Sequence, residues 1–436
     1  MKRYILLVAL VCGIISVCDS QIKVVKPNQF VEDVGNVGVQ NAIKKAHQMT
    51  DLEFVPVDTI RANKSMTYRP NRTYKGLVYS SVQETSTFVG IDVSLHSFMT
   101  AMHNPRSVVY TENLRDKKYH SNRTASYYGT VCSAFVSHAL GFTAYETTYD
   151  IPELESMTLV VDQSAKGIQL ADVLWQKGHV ALITGIRRNK NTGEVVWIEI
   201  SEAWLTGCRR RVVNGETEFN KMLKKGEWKI YRYNNFENNG YQPWTDFVAV
   251  EGETRTPFTY NDAICPNKGD QSCYAIGETV VLNLAEGYQQ LEIYKDSKLY
   301  KRIDLGNKVD VALSNLPYGD YKARVTKKQQ VSDFAYWKVI DVHVNNNEGK
   351  DIVTFSSANA TPVYLEFCTK AGSRPTWAWY ILTEEDLQNG YVKLSKLPIA
   401  RRLKKKKEDM YTKMHFECDW GRVVNAPTFW NKSKMK

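Results

Sequence analysis

Apolar residues in this chain first recur at helical spacing and then switch to alternation. In "NVGVQNAIKKAHQM" (36–49), Val39, Ile43 and Ala46 fall on one side, which predicts an amphipathic helix. Residues 52–79 carry turns and short extended pieces. "STFVGIDVSLHSFMTAMHN" reads as a strand or loop followed by a short helix. "CSAFVSHALG" (132–141) reads as a helix, with Ala134, Val136 and Ala139 small enough for close packing and Gly141 at its end. The period then becomes two. "GHVALITGIRR" and "EVVWIEISEAW", joined by "NKNTG", predict a hairpin, and "GEWKIYRYNNF" predicts a further strand. From 273 to 345 the chain is all alternating strands and short turns, as in a β-sandwich. "NNNEGKD" punctuates the pattern, and strands resume from Ile352 to the end. The predicted order is an α+β domain over 21–251, a β-sandwich over 252–345 and a small β-rich domain over 346–436.

Composition adds compartment and redox state. The 436 residues are 43% apolar and 24% charged, enough for several cores and against bulk disorder. Residues 1–20 have Lys2 and Arg3, an apolar run and then small and polar residues, the layout of a signal peptide. The run is short of the roughly 20 residues a bilayer span needs. "ISVC" (15–18) resembles a lipoprotein box, although Val17 is bulky, so release after Ser20 and lipid anchoring both stay open. Export permits disulfides. Beyond the leader stand Cys132, Cys208, Cys265, Cys273, Cys368 and Cys418. A Cys265–Cys273 staple and a Cys368–Cys418 pair are the expected bridges. No close CxxC pair suggests zinc. The net charge of +10 is partly local: Arg401, Arg402, Lys404, Lys405, Lys406 and Lys407 form a basic run, either a solvated loop or a contact for an anionic surface. No nucleic-acid module is recognisable.

Cys132 is the candidate nucleophile. A cysteine at a helix's first turn meets unpaired backbone N–H groups that favour the thiolate. Gly129 and Thr130 give a tight entry, and the Ser133 N–H is placed to join an oxyanion hole. His179, at the first position of a strand, is the candidate base. Val196, Ile198, Ile200 and Glu202 share one strand face, and Glu202 ends that strand opposite the start of the His179 strand. Glu202 is therefore preferred over Glu199, on the other face, as the group that orients the imidazole. His138 competes as a base but points elsewhere from the same helix. His96, His103 and His120 have no matching strand context and read as surface or local hydrogen-bond residues, with a metal site built from His96 and His103, or His120, as the competing reading.

"YYGTVCSAFVSHALG", "LADVLWQKGHVALITGI" and "VVWIEISEAW" resemble the NlpC-like and CHAP-like cysteine peptidases and amidases, papain-fold enzymes of the bacterial cell wall. The likeness covers about residues 125–204. It implies a papain-like catalytic fold with Cys132, His179 and Glu202 as its triad, and Tyr127 or Tyr128 beside the nucleophile. "ADV" (171–173) stands where such families have Gly-Asp-Leu/Val, with Ala171 in place of Gly. An asparagine often follows the CHAP glutamate by two, where this chain has Trp204. Tyr127, Tyr128, Ser133 and Trp204 are thus the expected substrate-binding residues. "LPYGDYKARV" resembles the same place in immunoglobulin-like modules.

The expected function is an exported cysteine hydrolase that cleaves an amide through a thioester, with a peptidoglycan stem peptide as the implied substrate and no metal or cofactor needed. Two alternatives remain. One is a non-catalytic envelope protein that binds through its β domains. The other is a thiol acyltransferase or lipid-amide hydrolase with the same triad. Trp377, Trp379, Tyr380 and Trp420 are candidates to stack on sugar rings, with core packing the stronger reading.

Overall fold

The computed structural model describes residues 30–62, 66–80, 88–103, 105, 107–111, 129–237, 239–241, 263–346, 351–368, 376–400, 410–425 and 428–430. The leader, Tyr127, Tyr128, His120 and the basic run at 401–407 lie outside them. A mixed α+β unit comes first, and mostly-β units follow.

In the first unit, β1 (Phe30–Glu32) leads into helix α1 (Val37–Asp51). Asn36 starts α1 by accepting the Val39 N–H at 2.9 Å. Helix α2 (Leu95–Met102) and helix α3 (Cys132–Leu140) follow. The next elements are β2 (Met157–Leu159), β3 (Val173–Gln176), β4 (His179–Asn189), β5 (Val195–Trp204), β6 (Gly207–Asn214), helix α4 (Gly215–Lys225) and β7 (Lys229–Tyr233). The strands form an antiparallel seven-stranded sheet in the order β2-β7-β3-β4-β5-β6, with β1 added along β4. Alternation gives the sheet two working faces. Val173, Val180 and Leu182 join the core made with α1 and α3, while Ala181, Ile183, Ile198 and Ile200 pack against Phe219 and Leu223 of α4. Gly141 ends α3 at φ 76°, and a Cβ there would meet Asn239 Oδ1 at 2.5 Å, so only glycine serves this stop.

The second unit sets a three-stranded sheet and a six-stranded sheet around Leu282, Leu284, Leu291, Ile293, Val325 and Trp337, a sandwich-like arrangement. Trp337 is fully buried and stacks on Tyr321 at 5.4 Å. Trp337→Ala is expected to cost this unit about 3–5 kcal/mol, read as a lowered urea midpoint at unchanged slope. In the last unit, a five-stranded and a three-stranded sheet enclose Val353, Leu365, Phe367, Met414 and Phe416. Strand Val342–Asn346 pairs with Ile352–Ser357 and so belongs to this unit's sheets.

Neither expected disulfide forms. Cys273 pairs with Cys418, and Cys265 and Cys368 are free and buried. Alternation explains the first difference. In strand Ser272–Ala275, Tyr274 faces the sandwich core while Cys273 faces the last unit's core. Register explains the second. Cys368 lies opposite Tyr411, at the far end of the paired strands from Cys418.

Candidate functional site

Cys132 is the first residue of α3. Its N-cap, Val131, is extended and offers no side-chain cap, so the backbone donors of the first turn stay available near the sulfur. His179 begins β4. The register Leu182↔Ser201 carries Ala181 and Glu202 to facing positions, so His179 lies diagonal to Glu202 on one face of the sheet. His179 Nε2 donates to Glu202 Oε2 at 2.8 Å, and the same imidazole interacts with the Cys132 thiol. Glu199 is on the other face, bonded to His47 at 2.8 Å and to Thr184 at 3.0 Å. The carboxylate brought to the imidazole is therefore Glu202.

Each group of this set is shifted toward its charged form. Burial would raise the Cys132 thiol. Hydrogen bonds with His179, the Val180 N–H and the Thr148 hydroxyl, together with the imidazolium charge, outweigh that and lower it. Burial would lower His179, but its bonds to Cys132 and Glu202 lift it to about 9. Burial would likewise raise Glu202, yet His179 and the guanidinium groups of Arg211 and Arg209 bring it down to about 2. Arg209 Nη2 donates to Glu202 Oε1 at 2.9 Å and Arg211 Nε to the same oxygen at 3.1 Å. The three shifts run in the direction of a thiolate–imidazolium pair backed by a carboxylate.

The signs fix a pH dependence. His179, raised from 6.5, stabilises the fold below that value and loses the contribution as pH rises through about 9. Glu202, lowered from 4.5, contributes above that value and loses it as pH falls through about 2. Alkylation of Cys132 by iodoacetamide is expected to be fast already at neutral pH, below the range of a free thiol near 8.5. The imidazolium is expected to be lost with a midpoint near pH 9. Mass spectrometry of the labelled peptide and a pH–rate profile check the two limbs.

The surroundings are aromatic and closed. Trp204 sits edge-on to the His179 ring at 4.8 Å and Trp228 at 5.6 Å, and together they keep water from the His179–Glu202 bond. Arg209 stacks on Trp204 at 4.9 Å. The Ser133 hydroxyl pairs with Tyr145 at 3.1 Å. Cys132 itself is only 6% exposed. A cavity of about 360 Å³ lies elsewhere, on the Glu199 side of the sheet, lined by His47, Lys44, Trp197 and Arg210 among others.

Other sequence candidates fall outside this centre. His138 is half-buried beside Gly90, and desolvation takes it down to about 3. Among the described residues, no group of three His, Cys, Asp or Glu side chains is arranged to hold a metal. Asp172 of the "ADV" turn accepts from Arg232 at 2.8 Å and braces the sheet. Ala171 takes φ 62°, the left-handed conformation that suits the glycine of the resembled families. Trp420 lies in the last unit's core, Tyr380 bonds Asp386 at 2.7 Å, and Trp379 reaches into the first unit.

Sequence reasoning missed Thr148, whose Oγ1 lies 3.9 Å from Cys132 Sγ, and the arginines on Glu202. A signal for the arginines existed: Arg209 and Arg211 alternate on the strand that follows the "LTG" turn, so they share a face with Glu202.

No family model matches this chain, and no curated protein matches it either. Solved structures with similarity include the fibronectin(III)-like modules of Clostridium thermocellum CbhA, at 10% identity over 38% of this chain and 90% of that one, TM-score 0.18. The CD2-binding domain of CD58 is 8% identical over 36% and 95% of the two chains, TM-score 0.16. The chicken CNTN1 FN1–FN3 domains are 10% identical over 57% and 96%, TM-score 0.17. Likenesses at these TM-scores carry no argument about this chain, so its function is argued from the site alone.

Proposed function

We propose that this protein is an exported cysteine hydrolase that cleaves an amide bond through a thioester, on a papain-like scaffold of the NlpC-like or CHAP-like kind, with immunoglobulin-like β units behind it. The Cys132 thiolate attacks the amide carbonyl carbon, and the carbonyl oxygen takes the negative charge near the first-turn N–H groups of α3. As the C–N bond breaks, imidazolium His179 gives its proton to the leaving amine. Water then attacks the thioester, His179 takes the water's proton, and the acid leaves with Cys132 restored as thiolate. Glu202 stays ionised and fixes the ring. Peptidoglycan stem peptide is the substrate the sequence resemblance favours, which puts the protein in the bacterial envelope.

One observation carries the reading: the 2.8 Å His179–Glu202 bond on an imidazole that also interacts with the Cys132 thiol at the first turn of α3. Defined muropeptides incubated with the protein and followed by mass test it. Products are expected from the native chain and not from Cys132→Ala.

A second reading has an observation of its own. Cys132 is buried, as are the other three free cysteines among the described residues, which suits a non-catalytic envelope binding protein that keeps the scaffold. That reading expects no product from any muropeptide and binding to wall material that Cys132→Ala leaves unchanged.

A further inference from the structure

The last β unit reaches the back of the thiol centre. Trp379, on strand Thr376–Ile381, donates its indole N–H to Glu146 Oε1 at 2.8 Å and packs on the Tyr145 ring at 6.1 Å. It also lies against the cluster of Phe88, Val131, Ala134 and Tyr145, which holds the N-cap of α3 and part of its first turn. Tyr145 in turn pairs with the Ser133 hydroxyl, and Ser137 of α3 accepts the Glu146 N–H at 3.1 Å. Two residues further on, Thr148 presents its hydroxyl to Cys132 Sγ and its carbonyl to the Trp175 indole at 2.6 Å. A second tie between the units runs from the Arg422 N–H to the Asp92 carbonyl at 3.0 Å, beside Phe88.

We propose that Trp379 is a positioning residue for Cys132: by gripping Tyr145 and Glu146 it holds the segment 145–148 so that Thr148 meets the sulfur, and the last β unit thereby completes the thiol centre. The inference rests on Cys132 being the reactive thiol of the proposed function. The chemistry of the grip is specific. Glu146 is buried, and burial raises it to about 8, so at neutral pH it is a neutral acid that accepts the indole N–H without a counter-charge. The indole is thus a hydrogen-bond clamp on a loop that has no helix or strand of its own at these positions.

The test uses the full chain and needs no substrate. Iodoacetamide labelling of Cys132 is followed by peptide mass across pH 5–10, which separates it from Cys208, Cys265 and Cys368. Trp379→Phe keeps a ring and removes the donor. It is expected to move the labelling midpoint up by about one unit and to slow labelling at pH 6.5 about tenfold. Thr148→Val is expected to give the same displacement, and the double variant no more than either alone. Glu146→Leu removes the acceptor from the other side and is expected to match Trp379→Phe, so the result does not depend on one variant folding. Trp420→Phe, in the core of the same unit, is expected to lower stability and leave the midpoint unmoved. The proposal is overturned if Trp379→Phe and Glu146→Leu reduce stability but keep the native midpoint, or if Thr148→Val adds fully to Trp379→Phe. A native chain that labels at neutral pH with these displacements but cleaves no amide sinks the hydrolase reading and leaves the clamp standing.

Discussion

Cys132→Ala is expected to reduce amide hydrolysis by roughly 10⁴-fold or more, to the background of a site that binds without a nucleophile. The size follows from covalent catalysis. No other described side chain at the centre can attack: the Thr148 hydroxyl has only the sulfur beside it as a base, and the Ser133 hydroxyl is turned to Tyr145. The substitution removes a small buried side chain and leaves a void of about one sulfur atom, so the fold is expected to survive with a loss of about 1 kcal/mol. Circular dichroism and a urea titration establish that, and the rate of product formation then reports chemistry. A variant that still turns over at the native rate rules Cys132 out as nucleophile.

Glu202→Gln is the second large effect, and it falls on both stability and pH. The side chain is 2% exposed and serves His179, Arg209 and Arg211 together. Glutamine keeps the shape and removes the charge, which leaves two guanidinium groups without their shared carboxylate and the imidazolium with Cys132 alone. Breaking one partner out of a buried ionic set costs about 3–5 kcal/mol. Arg209 is 42% exposed and re-solvates, so about 2–4 kcal/mol is expected here, measured by urea unfolding at neutral pH. With Glu202 gone, His179 keeps Cys132 but loses its second partner, and its value is expected to fall from about 9. The thiol loses its charged partner and rises. The alkaline limb of turnover then moves to lower pH while the acid limb moves up, and the two are expected to close on each other. If the profile keeps its native width and the stability is unchanged, Glu202 is not the group that charges the pair.

The order of a mixed α+β unit followed by mostly-β units is legible in the sequence, because the apolar period changes from helical to alternating and each period demands its own element. The same alternation separates Glu202 from Glu199 before any coordinates, since two residues an odd number apart on a strand cannot share a face. What alternation cannot supply is register between strands and contact across units. Arg209 faces Glu202 only through the pairing of β5 with β6. Thr148 comes from a segment with no periodicity, and its place is set by bonds to Trp175 and to α3. Trp379 lies 233 residues from Glu146 in sequence, and nothing local marks it as different from its aromatic neighbours. The cysteine pairing failed for a similar reason. Short spacing suggested a staple, but the outward face of one short strand decided the partner.

The covalent link between Cys273 and Cys418 spans 145 positions of chain. A protease that nicks the backbone anywhere within that span leaves two pieces that still migrate as one on a gel, and they part only when a reductant is added. In an oxidising compartment, then, a clip within the span leaves the carboxyl-terminal portion covalently attached, whereas in a thiol-rich one only the paired strands and shared cores hold it.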